Sequence, residues 1–222
     1  MKLLKVILIG NYSKDNQESM NRFVNMIANG LNNHKIDYEI WTPILFVGYF
    51  FKNTNSGIGK WVSYIDKYFI TPFVFLLGVL KNSYNKNKVI YHICDHSNAV
   101  YVPIFPINKV IITCHDVLAI RGSLGFKDAH CNSRFFGKIL QKNILKNLSK
   151  NIHIAFVSKN TLNQFEQIAT NLFPDLEYEF GAQTHHNGLT ISSFTNYIKN
   201  TWIPANLPDD VSSISSERIN IL

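Results

Sequence analysis

Five short β-branched runs, each followed by a stretch of different period, constrain this chain more than any other feature. LKVILI (4–9), DYEIW (37–41), KVIYHI (88–93), KVIITC (109–114) and IHIAFV (152–157) are the candidate strands. Several are apolar at consecutive positions, the pattern of a strand covered on both faces. Between the first two, Met20, Phe23, Val24, Ile27 and Leu31 recur at the spacing of an amphipathic helix. Asp15 or Asn16 is expected to cap that helix, with Gly30 near its end. Further helices are expected over 59–81, over 134–149 and after Ser158. Such alternation predicts a parallel sheet with crossover helices, an α/β, Rossmann-like, doubly wound domain.

That architecture gathers chemistry at the carboxyl ends of the strands, and the polar residues of this chain fall there. Strand one runs into Gly10-Asn11, strand three into HICDHSN (92–98), strand four into CHD (114–116) and strand five into Ser158. No GxGxxG, GxxxxGK[ST] or GxSxG occurs, so a dinucleotide fingerprint, a P-loop and a nucleophile elbow are excluded. Gly10 is read as letting the chain turn sharply, and the following helix start as presenting backbone N–H groups to a phosphate or sugar hydroxyl. Asp15 and Glu18 would oppose an anion there unless they cap the helix.

His92, Asp95, His96, His115 and Asp116 admit three readings: metal ligands, groups around a polyhydroxylated substrate, or satisfied loop polars. The spacing does not favour a metal, since neither HxH nor HExxH is present and positions 92 and 93 of a strand face opposite ways. His115 would act by hydrogen bonding or by charge, its two forms being close in energy near neutral pH.

Composition narrows the partners. With 46% hydrophobic and 17% charged residues, the 222-residue chain should bury a full core. Residues 1–160 hold 20 basic against 8 acidic side chains, and 161–222 hold 2 against 7. The first part therefore favours an anionic partner. Only four of the 22 basic residues are Arg, so nucleic acid is not expected. Arg134, Lys138, Lys142, Lys146 and Lys150 form a cationic stripe, read as a solvated face or as a contact with anionic lipid headgroups. Trp61, Tyr64, Tyr68 and Phe69 beside lysines suit a membrane interface. The longest apolar run, 68–80, has 13 residues and a proline, short of a membrane span, and Lys5 breaks the resemblance of the opening to a signal peptide. Three cysteines without a CxxC pair argue for a reducing compartment. A soluble or peripheral cytoplasmic protein is expected.

Taken in order, IGNYSKDNQESMNRFVNMIANGL, GKWVSYIDKY, HICDHSNAVY, ITCHDVLAIRG, ILQKNILKNL and AFVSKNT resemble the amino-terminal lobe of the family 4 glycosyltransferases, two-lobed enzymes of the GT-B fold. The resemblance covers residues 1 to about 189, where THHNGL is similar to the segment before such chains cross between lobes. It implies a retaining transfer from a nucleotide sugar to a carbohydrate or lipid-linked acceptor held by this lobe, with no metal and no cofactor beyond the donor. It implies His115 and Asp116 as catalytic residues. It places Gly10, Asn11, Asn16, Glu18, His92, Asp95, His96, Asn98 and Arg121 against substrate. A seat on the inner membrane face is also implied. The family's second lobe carries Glu-x7-Glu and Arg-x4-Lys pairs, and this chain has neither. Residues 190–222 are therefore expected to be an interlobe linker reaching the start of a missing donor lobe at INIL. Turnover would then require that lobe or a partner chain supplying it. Two rivals stand beside this reading: a non-catalytic carbohydrate- or membrane-binding subunit, and a metal-dependent hydrolase using His92, Asp95, His96 and His115.

Overall fold

A computed structural model describes residues 4–51, 57–84, 88–131, 135–150 and 153–172. The expected boundary at 189, the linker, the turn at Asn187-Gly188, the INIL segment and Arg134 of the cationic stripe lie outside these residues.

Five strands form one all-parallel sheet: β1 (Leu4–Ile9), β2 (Asp37–Trp41), β3 (Lys88–Ile93), β4 (Val110–Cys114) and β5 (His153–Phe156), in the order β2-β1-β3-β4-β5. The first three match the runs read from sequence. β4 starts one residue later than expected because the Lys109 N–H closes a turn onto the Pro106 carbonyl, at 2.8 Å. β5 is shorter by one residue at each end. The fold is α/β and Rossmann-like, with helices on both faces of the sheet.

Strand periodicity divides the core. Val6, Leu8, Ile90 and Ile111 point to one face and pack against Phe23, Val24, Ile27 and Leu31 of α1 (Glu18–Asn33). Ile7, Ile9, Tyr91, Ile93 and Ile112 point to the other. There they meet Phe75 and Val79 of α3 (Thr71–Tyr84), and Ile144, Leu145 and Leu148 of α5 (Phe135–Leu148). Each side chain so buried contributes roughly 1.5–3 kcal/mol relative to exposure.

The start of α1 differs from expectation. No side chain caps it, and it begins after Gln17. Asp15 instead pairs with Lys67, at 2.6 and 2.7 Å, and Asn16 adopts φ +53° to turn the chain into the helix, a conformation Asn tolerates better than most residues. Gly30 lies inside α1, which continues to Asn33.

The helix expected over 59–81 runs from 57 to 84 in three parts: α2 (Gly57–Ile65), a π turn (Asp66–Ile70) and α3. In the π turn the Thr71 N–H reaches five residues back to the Asp66 carbonyl. Pro72 follows at once; it has no N–H and would crowd a normal turn, so the wider turn accommodates it. Gly57–Tyr84 has 28 residues and contains an 18-residue stretch of mean hydropathy 1.3, long and apolar enough to cross a membrane, beyond what the 13-residue run suggested. Its inner side nonetheless packs on the sheet. A short α4 (Leu118–Ser123) follows β4, and α6 (Lys159–Leu172) follows β5, opened by Ser158 Oγ accepting the Thr161 N–H at 3.1 Å.

Candidate functional site

The chain leaves β1 toward β2 on one side, whereas β3 leads to β4 and β5 on the other. The β1/β3 pair is therefore the switch point of the sheet, and in sheets of this kind ligands bind in the crevice at the carboxyl ends of the switch-point strands.

The loop after β1 is fixed on its outer side. Tyr12 Oη donates to Asp66 Oδ2 at 2.8 Å, and the same fully buried carboxylate accepts the N–H groups of Phe46, Val47 and Gly48 at 2.8–3.1 Å. Position 48 must be glycine, because a Cβ there would lie 2.0 Å from Tyr12 Oη. Lys14 Nζ donates to the carbonyls of Gly48 and Phe51 at 2.9 and 2.5 Å. Neither Tyr12 nor Asp66 was singled out from sequence; a lone acid within an otherwise apolar helical run was the available signal.

On its inner side the loop meets β3 through amides and a carboxylate. Asn11 is 4% exposed and uses all its groups: Nδ2 donates to Gln17 Oε1 and, at 2.6 Å, to Asp95 Oδ2, while Oδ1 accepts from Asn98 Nδ2. Asn98 Nδ2 also lies 3.2 Å from the Gly10 carbonyl. Asp95 begins the 3-10 helix His96–Ile104, accepting the Ser97 N–H at 3.0 Å and the Ser97 hydroxyl at 2.7 Å. His96 Nδ1 stands 3.2 Å from Asp95 Oδ1. Burial pushes the Asp95 carboxyl up, but His96, Asn11 and Ser97 together outweigh it and hold it below the ordinary carboxylate range. Gly10, Asn11, Asp95, His96 and Asn98 are thus brought together as the sequence suggested. Ser97 and Gln17 join them unforeseen. Gly10 itself does not need positive φ; Asn16 supplies the left-handed residue of this loop.

The histidines separate. His92 does not line the crevice: it is fully buried on the α1 face, its ring 6.5 Å from that of Phe23 and its Nε2 2.8 Å from Thr113 Oγ1. Burial, and then His115, lower its pKa to about 3, so it is a neutral packing residue. His115 is half-buried at the end of β4, its ring edge-on to Phe23 at 4.8 Å. Its Nε2 must carry the proton, because its partner at 3.0 Å is the Cys94 carbonyl, which can only accept. Nδ1 is left as the acceptor. Burial lowers the His115 pKa, against opposing contributions from the Cys94 carbonyl and Asp95, so the ring is neutral at pH 7 and a role through positive charge is not available there.

The other sites implied by the resemblance are occupied differently. Asp116 is exposed and accepts the Leu118 N–H at 3.0 Å, closing the turn into α4. Arg121 is buried, its guanidinium 2.5 Å from Asp128 Oδ2 and 4.4 Å over the Phe126 ring, so it clamps the turn after α4 instead of facing a substrate. Asn16 and Glu18 are exposed, Glu18 within 3.5 Å of Arg22. Cys94 and Cys114 are buried, and burial raises both thiols far above their ordinary pKa, so neither is a nucleophile at neutral pH. Among the described residues no three or more His, Cys, Asp or Glu side chains are grouped to hold a metal ion. The four residues of the hydrolase reading form no such group: His92 and His115 both pack against Phe23 on the α1 face, and His92 Nε2 is taken by Thr113 Oγ1.

Chemically, the rim holds a carboxylate kept charged, amides locked in one orientation by their own hydrogen bonds within the protein, and a neutral half-buried imidazole whose Nδ1 is an acceptor. Such a set suits hydroxyl groups, which donate and accept at once. Comparisons with protein families, curated proteins and solved structures give no match to this chain.

Proposed function

We propose that this chain is the acceptor-binding lobe of a retaining, nucleotide-sugar-dependent glycosyltransferase, transferring nothing until a donor-binding lobe closes on the crevice. The observation that carries the reading is the single polar rim formed by Asn11, Asp95, His96, Asn98 and His115 at the carboxyl ends of β1, β3 and β4. Pre-oriented hydrogen-bonding groups at a switch point suit a polyhydroxylated ligand. The sequence segments quoted above supply the reaction class. In this reading His115 meets the transferred sugar as a neutral hydrogen-bond acceptor, and Asp95 orients Asn11 and Ser97 toward the acceptor.

The experiment pairs two assays on the full chain. Calorimetric titration with methyl glucoside, galactoside and mannoside should detect weak binding to at least one, reduced about ten-fold in His115→Ala for one lost hydrogen bond. Incubation with UDP- and GDP-hexoses should release no nucleotide. Binding to none of the three glycosides would remove the sugar reading, and nucleotide release by the chain alone would remove the division between lobes. Because Asn11 and Asp95 are largely satisfied within the protein, a non-catalytic binding subunit is the second reading. Restored transfer on adding a donor lobe of the family would decide against it.

A further inference from the structure

An aromatic groove of about 380 Å³ runs between α2 and the first half of α5, with walls that include Trp61, Tyr64, Tyr68, Tyr101, Phe136 and Ile139. Trp61 meets Phe136 edge-to-face at 5.5 Å and so joins the two helices. These side chains are open to water: Trp61 is 55% exposed, Phe136 60% and Ile139 52%. Apolar surface gathered in one groove in this way marks a place where something docks. Around it the charge has one sign. Lys60 Nζ stands 5.8 Å from the centre of the Tyr64 ring, and Lys138 and Lys142 lie next to the groove residues Ile139 and Asn143 on α5. All three lysines are exposed. Residues 57–84 and 135–150 contain one acid, Asp66, which is fully buried and surrounded by four donors. A second copy of this face would set lysine against lysine. The occupant must be acidic as well as apolar.

The chain itself supplies such a segment. α6 lies on the same face of the sheet as α5, its Phe165, Ile168 and Ala169 sharing one buried cluster with Ile144, Leu145 and Leu148. It is followed in sequence by FPDLEYEF (173–180), with three acids and no base. Leu176, Tyr178 and Phe180 alternate with Glu177 and Glu179, so an extended chain of this sequence puts its apolar side chains on one side and its acids on the other. Eight extended residues span about 26 Å, against about 8–10 Å between packed helices. The charges also match in spacing. Glu177 and Glu179 would stand about 7 Å apart along an extended chain, and Lys138 and Lys142 about 6 Å apart along α5.

We propose that residues 173–180 dock in extended form in the aromatic groove between α2 and α5, with Leu176, Tyr178 and Phe180 inward and the acids against Lys60, Lys138 and Lys142. A segment tethered this closely acts at an effective concentration on the order of millimolar, so it holds the groove against free apolar ligands. Asn98 of the polar rim and Tyr101 of the groove share one 3-10 helix, so the docked segment braces an element that carries part of the rim. Docking stands on this groove alone, whether or not the crevice binds sugar.

Carbodiimide cross-linking of the full chain, read by mass spectrometry, tests it. Amide links should join Asp175, Glu177 or Glu179 to Lys60, Lys138 or Lys142, and a mixture of ordinary and 15N-labelled chains should show them within single chains. Binding of the apolar dye anilinonaphthalene sulfonate reads how open the groove is. Tyr178→Ser with Phe180→Ser should raise the open fraction roughly ten-fold or more. Glu177→Lys with Glu179→Lys should raise it roughly ten-fold, each exposed pair being worth up to about five-fold. Adding Lys138→Glu with Lys142→Glu to that variant should close the groove again. Lys138 and Lys142 are exposed, so circular dichroism should remain that of the parent. Absence of these cross-links, links only between chains, dye binding equal in the parent and the Tyr178/Phe180 variant, or no rescue by the reversed lysines would overturn the proposal and leave the groove to another occupant.

Discussion

The two long helical segments on opposite faces of the sheet solve the same packing problem with opposite polarity. In α1 the buried side chains are apolar and every exposed position is polar: Glu18, Ser19, Asn21, Arg22, Asn25, Asn29, Asn32 and Asn33. In Gly57–Tyr84 the buried side includes Ser63, Asp66, Thr71 and Asn82, and the exposed side includes Ile58, Trp61, Phe69, Phe73, Leu77 and Leu80. The first is an ordinary crossover helix, complete once it covers the sheet. The second holds Asp66 inward, where it fastens Tyr12 of the β1 loop and the N–H groups of 46–48, and Thr71 inward, where it accepts the Ile44 N–H; it presents apolar surface outward, where such surface marks an interaction site.

The largest effect should come from the fastening. Asp66→Leu leaves three backbone N–H groups and Tyr12 without their acceptor in a buried place, and should cost about 3 kcal/mol or more in urea unfolding. A loss under about 1 kcal/mol would show that the inward polar groups are incidental. Next is the contrast between layers: Ile27→Ala in α1 should cost about 2–4 kcal/mol, and Leu77→Ala in α3 under about 0.5 kcal/mol. Equal costs would erase the difference. Gly78→Ala comes third, at about 1–3 kcal/mol, because its Cβ would fall 2.4 Å from Trp41 Cη2; a shift in Trp41 emission should accompany it.

The pH effect is graded and belongs to the α1 side. Folding lowers the His92 pKa from its ordinary 6.5 to about 3. Between those values the unfolded chain takes up a proton that the folded chain refuses. Stability is therefore full above pH 6.5 and declines as pH falls toward 3, by at most about 1.4 kcal/mol per unit from this group. His115 and His153, also lowered chiefly by burial, act in the same direction. The midpoint temperature should drop on going from pH 7 to pH 4.5, and His92→Gln should flatten the slope. An unchanged slope in that variant would place the acid sensitivity elsewhere.

The strands were legible because burial on both faces leaves uninterrupted β-branched runs, and α1 because a one-sided helix writes its period into the chain. Gly57–Tyr84 was legible as a helix but not in polarity: the π turn at 66–70 shifts the phase of its faces, and no periodic rule reveals that Asp66 is the inward residue. In the site, the convergence of Asn11, Asp95 and Asn98 followed from strand ends sharing one edge. His92 misled because alternation says which face it takes, not that Phe23 and Thr113 seal that face. Arg121 and Asp116 found local partners, Asp128 and the Leu118 N–H, and local satisfaction of this kind leaves no mark in the sequence.

Amide chemical-shift mapping of the full chain during titration with the three methyl glycosides tests the crevice most directly. Saturable shifts concentrated at Asn11, Gln17, Asp95–Asn98 and His115, with α1 beyond its first turn and residues 57–84 unmoved, are the expected result. No saturable shift at those residues, or shifts confined to the aromatic groove, would contradict it.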